Sequence, residues 1–113
     1  MMYVNFTAGN KDYKLRLNTR GIVALEKQLG CNPLAIFGPD GERMPPMTEM
    51  VAILHASLQQ LNHGVSMDDA YTIFDEWLDD GHVMTDFLEV IVDIYKESGI
   101  IKKDRVEDAE KNA

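Results

Sequence analysis

Four side chains in this chain have the chemistry to ligate a metal or to activate a nucleophile: Cys31, His55, His63 and His82. Their spacing fits no zinc signature, because the sequence holds neither CxxC nor HExxH. The acidic stretch DEWLDDGHVMTDFLE invites comparison with a calcium loop. With Gly81 at the invariant sixth position, Leu78 falls third and Phe87 twelfth, so two ligand positions are apolar and the loop fails. Ser57 beside His55, and Asp86 beside Thr85, are sequence neighbours without a third group to orient them. The paired carboxylates Asp75-Glu76 and Asp79-Asp80 read as a solvated helical face rather than as a general acid and base. Cys31 follows Gly30 at a helix junction, where a helix N-terminus lowers a thiol pKa, but no base is assigned to it. The sequence therefore predicts no catalytic residue, no metal ligand, no cofactor and no enzyme.

The elements that position these residues are mostly helices. Val4 and Phe6, then Tyr13, Leu15 and Leu17, alternate with polar residues on either side of Ala8-Gly9-Asn10-Lys11, which predicts a β-hairpin with one apolar face. Two strands alone are marginal in water, so that face must lie on helices or on another subunit. Asn18 or Thr19 caps a helix carrying Ile22, Leu25 and Leu29 on one face, and Gly30 stops it. Asn32 caps a short segment with Pro33 at its first position and Leu34, Ile36 and Phe37 behind it. GPDGERMPP, residues 38–46, is a loop. Met47, Met50, Val51, Leu54, Leu58 and Leu61 make a stripe on a helix of about four turns. Ser66-Met67-Asp68-Asp69 forms a capping box with an aspartate in the usual glutamate place, ahead of Ala70, Ile73, Phe74 and Trp77. A last helix runs from about Thr85 to Ser98, apolar on most of its sides, and is either central to the core or shared with a partner. The fold class is α+β, mainly α: an N-terminal hairpin on about four helices, one domain over residues 1–101, and a flexible charged tail over 102–113. The expected core is Leu15, Leu17, Ile22, Leu25, Leu29, Leu54, Leu58, Phe74, Trp77, Phe87 and Ile91.

Charge narrows the partners. The net charge of −8 argues against nucleic-acid phosphate. Residues 1–47 carry a net +2 and residues 48–101 a net −10, so opposite ends of two copies attract. No apolar run approaches the roughly 20 residues that span a bilayer, and the start MMYVNFTAGNKDYK lacks a signal peptide's basic and apolar regions. One cysteine leaves no internal disulfide. The candidate partner-binding side chains are the methionines Met44, Met47 and Met50, the acid-ringed Trp77, and Val90, Ile94 and Tyr95 of the last helix. Each has an ordinary packing role as its alternative.

The stretches LRLNTRGIVALEKQLGCNPLAIF, ILHASLQQLNHG and DEWLDDG, in that order, resemble the small tail assembly chaperones of long-tailed bacteriophages of Gram-positive hosts, in their short, lambda G-like form. The resemblance covers about Tyr13 to Gly99. It implies a protein of the host cytoplasm, absent from the mature virion, that binds and solubilises the tape measure protein. It also implies recruitment of the tail tube protein through a longer, frameshifted form, and self-association into oligomers. A codon run GAA AAA AAC over Glu110-Lys111-Asn112 would hold a slippery heptamer, and Ile101-Lys102-Lys103 is a second place for one. A different class of reading is an acidic helical adaptor or inhibitor that masks a basic partner.

Overall fold

The computed structural model describes residues 2–103. Of the expected tail only Lys102 and Lys103 fall within that range, and the slip-site residues Glu110 to Asn112 lie outside the described residues.

The protein is α+β and mainly α. An antiparallel hairpin of β1 (Val4–Ala8) and β2 (Lys11–Leu15) precedes four helices: α1 (Thr19–Leu29), α2 (Met47–Leu58), α3 (Met67–Asp79) and α4 (Phe87–Glu97). Short 3-10 turns at Pro33–Phe37 and Met84–Asp86 lead out of α1 and into α4. Gly9 and Asn10 have φ of 56° and 66°. This two-residue turn with both φ positive matches the strand twist, and it pairs Phe6 with Tyr13 and Val4 with Leu15. Phe6, Ala8 and Leu15 are buried on one face, so the predicted alternation is present.

The helix ends follow their local chemistry. The Asn18 side chain accepts from the Gly21 N–H, and Gly30 closes α1 at φ 72°. Asn32 caps the 3-10 turn with Pro33 inside it. Ser66 and Asp69 satisfy each other's backbone N–H groups, which completes the capping box. The second helix is shorter than its stripe predicts: α2 ends at Leu58, and Leu61 is half-buried in the turn beyond. Side-chain amides take over its terminal carbonyls, Gln59 donating to His55 O and Asn62 to Leu58 O, so the chain can leave the helix early.

The central element is α2, not the last helix. Every residue from Met50 to Leu58 except His55 is buried. Ala52, Ala56 and Ser57 make this possible, because small side chains let neighbouring elements approach the faces that the large residues leave. In α4 one face is buried, through Phe87, Ile91, Ile94 and Tyr95, while Leu88, Val90 and Val92 sit half-buried on its flanks. Nine of the expected core residues are buried; Ile22 and Leu29 are only partly buried, because α1 packs on α2 from outside. Phe6, Phe74, Trp77 and Phe87 form an aromatic cluster with ring centroids 4.8–6.2 Å apart that joins hairpin, α3 and α4. The Gly9 N–H donates to Asp80, which seats the turn on the end of α3, and a Cβ at this left-handed position would have to displace the Glu76 carboxylate.

Candidate functional site

The side chains with chemistry are dispersed. His55 lies half-buried on the flank of α2, His63 is exposed in the turn after it, and Cys31 is exposed between α1 and the 3-10 turn. His82 stacks on Trp77, 4.4 Å between centroids and 8° between planes. Among the described residues no group of three His, Cys, Asp or Glu is arranged to hold a metal ion. The buried Ser57 hydroxyl donates to Leu54 O within its own helix, 2.9 Å. Several carboxylates have structural partners: Glu49 takes a two-bond clasp from Arg43 at 2.8 and 3.0 Å, and Asp86 accepts from the Val83 N–H. Asp69 accepts from the Ser66 backbone, which lowers its pKa.

The seven residues singled out for partner binding separate in space. Met44 is 41% exposed in the loop before α2, Met47 is half-buried at the helix start, and Met50 is fully buried. Trp77 is 4% exposed, so the expectation of a surface anchor is corrected: the ring is a core piece between Phe6 and Phe87. Ile94 and Tyr95 are also fully buried. The Tyr95 hydroxyl donates to Pro33 O at 2.9 Å, and burial pushes its pKa well above the usual phenol value. Only Met44, Met47 and the half-buried Val90 remain near the surface. Periodicity misplaced the others because it marks an apolar face without saying whether a neighbour already covers it.

One open surface runs along α1. A hollow of about 320 Å³ between α1 and the end of α2 is floored by Gly21, Ala24 and Ala56, with Arg20, Gln28, His55 and Gln59 around it. A second hollow, on the outer side of α1, shares Arg20 and Ala24 and adds Val23 and Lys27. Val23 is 44% exposed. The two hollows, both largely apolar, adjoin at Arg20 and Ala24 and are together called the α1 trough, with Lys27 as a second cation on its outer side. Burial at its edge lowers the His55 pKa below the ordinary value. The sequence held one signal for this surface: Val23 and Ala24 fall off the Ile22, Leu25, Leu29 face.

The opposite charge collects elsewhere. Asp68, Asp75 and Asp79 are exposed on α3, and Glu89 and Asp93 are exposed on α4. Within the described residues no helix is long and apolar enough to cross a membrane.

No curated protein and no solved structure matches the chain. A family model described as "Family of unknown function (DUF6096)" matches residues 4–113, nearly the whole chain, and the chain belongs to that family.

Proposed function

We propose that this member of the DUF6096 family is a phage tail assembly chaperone, which binds the tape measure protein, keeps it soluble and helps to recruit tail tube subunits. It acts in the host cytoplasm and is left out of the finished virion. The reading rests on the resemblance between Tyr13 and Gly99, and one observation carries it further: the open trough on α1. The large apolar side chains of α2 are buried, so they serve the fold. Val23, Ala24 and Ala56 instead border a hollow open to solvent. A small-residue floor admits the side chains of a long apolar helix, and Arg20 and Lys27 suit carboxylates on its flanks. Shallow apolar contact without buried ion pairs gives the releasable grip that a transient cover needs.

Co-expression with the tape measure protein of the same phage genome tests it. The full chain raises the soluble fraction of that protein. A Val23→Glu, Ala24→Glu double variant, altered only on the exposed side of α1, does not. Equal tape measure solubility with and without the chain removes the chaperone reading. A second reading, an acidic adaptor that masks a basic partner, is favoured by Glu89 and Asp93, which have no ion-pair partner among the described residues.

A further inference from the structure

The two edges of the hairpin differ. In a two-residue hairpin with this register, Val4, Phe6 and Ala8 direct their backbone groups to the partner strand, while Asn5 and Thr7 direct theirs outward. On the β2 side the outward groups of Lys14 and the Arg16 N–H are occupied, while the backbone of Asp12, beside the turn, has no partner among the described residues. The Asn62 amide accepts from the Lys14 N–H at 3.2 Å and donates to the Lys14 carbonyl at 2.6 Å, in the manner of a neighbouring strand. The Arg16 N–H donates to Ser57 O at 2.9 Å. On the β1 side nothing among the described residues hydrogen-bonds the outward backbone of Asn5 or Thr7. An open strand edge is a template for pairing.

Beside this open edge a groove of about 490 Å³ runs along the start of α4. Val90 lines it, together with the carboxylates of Asp86, Glu89 and Asp93, and no lysine or arginine does. Asp86 is held by the Val83 N–H, with His82 Nδ1 at 3.9 Å. Glu89 and Asp93 are exposed and have no hydrogen bond or ion pair among the described residues.

We propose that β1 and this groove take an extended, basic segment of another protein, added to the hairpin as a third strand. The backbone of Asn5 and Thr7 pairs with the incoming chain. Its inward lysine or arginine side chains lay their aliphatic stems on Val90 and bring their charged heads to Glu89 and Asp93. A second copy joined through its own β1 does not fit, because that brings two acidic rows together and supplies no cation, and on β2 the backbone of Lys14 is already taken by Asn62. Phosphate backbones are repelled by the same carboxylates. This site is separate from the α1 trough; it gives the acidic-adaptor reading its surface and does not rest on the tape measure reading.

The test uses the full chain and a short peptide of alternating lysine and valine, with its glutamate–valine counterpart as control. At low salt the lysine peptide slows hydrogen exchange at the Asn5 and Thr7 amides and shifts their NMR resonances, and the glutamate peptide does neither. Thr7→Pro removes an outward N–H and leaves the inward pairs of Phe6 and Ala8 in place. The double reversal Glu89→Lys, Asp93→Lys changes only exposed helix positions. Each variant weakens the lysine peptide by about tenfold or more. If Thr7→Pro fails to fold, the reversal variant still decides. The proposal is overturned by equal binding of both peptides, by no binding of the lysine peptide, or by undiminished binding to the reversal variant. It is also overturned if the Asn5 and Thr7 amides become protected in the protein alone as its concentration rises, which would place a second copy on the edge.

Discussion

At the scale of single residues, polar side chains have structural tasks. Ser57, a sequence neighbour of His55, is tied into its helix, Asp69 completes the capping box of α3 by accepting from the Ser66 N–H, and Tyr95, a candidate for partner binding, holds the 3-10 turn through Pro33 O. His55 gives the clearest residue-level prediction. Its folded pKa lies below 6.5 because burial disfavours the imidazolium. Protons therefore bind the unfolded chain more tightly. The contribution of His55 is fully present above about pH 6.5 and is lost as pH falls through that value towards the lower folded pKa. The carboxylates add their own loss at lower pH, so the comparison must be with a variant. Between about pH 8 and about pH 5, the urea midpoint of the native chain falls further than that of His55→Gln. Equal falls would show that the imidazole is not desolvated in the folded protein.

At the scale of elements, α2 carries the fold. It touches α1, α3, α4 and β2, and its small residues set how closely they approach. Ala52 is 1% exposed, so a leucine there forces its neighbours apart. Ala52→Leu lowers stability by about 1–3 kcal/mol in chemical denaturation. The same substitution at Ala24, exposed on α1, changes stability by less than about 0.5 kcal/mol. Similar losses at both positions would mean that α2 is not the central helix. The hairpin depends on its neighbours in the same way: Asn62 closes one edge of it and the end of α3 receives its turn.

At the scale of the whole molecule, the split of charge in the sequence becomes a split of surface. Lys11, Lys14, Arg20 and Lys27 are exposed on the hairpin and α1, and Asp68, Asp75 and Asp79 on α3. Such faces attract between copies while the net charge of −8 opposes crowding. The expected outcome in light scattering is association at low salt that weakens as the ionic strength rises past about 0.15 M, where the screening length is about 8 Å. A strict monomer at high concentration and low salt, or association indifferent to salt, would count against charge-driven assembly.

What the sequence determined by itself was local. The Gly9-Asn10 turn, the Asn18 cap, the Gly30 stop, the Ser66–Asp69 box and the alternation of Phe6 and Leu15 depend on a few adjacent residues, whose backbone preferences act within one turn. What the tertiary structure decided was which apolar faces are covered. Leu25 and Val23 sit on one helix, yet the first is buried and the second open, because only one side of α1 meets α2. Trp77, Ile94 and Tyr95 looked available for a partner and are core; Trp77 is covered by Phe6, 71 residues before it, and Tyr95 is tied to Pro33, 62 residues before it. The open edge of β1 is of the same kind. Strand pairing is visible in the sequence, but Asn62 reaching back to Lys14 on the other edge is a contact across 48 residues. Burial is a property of two surfaces, and a sequence pattern describes one of them.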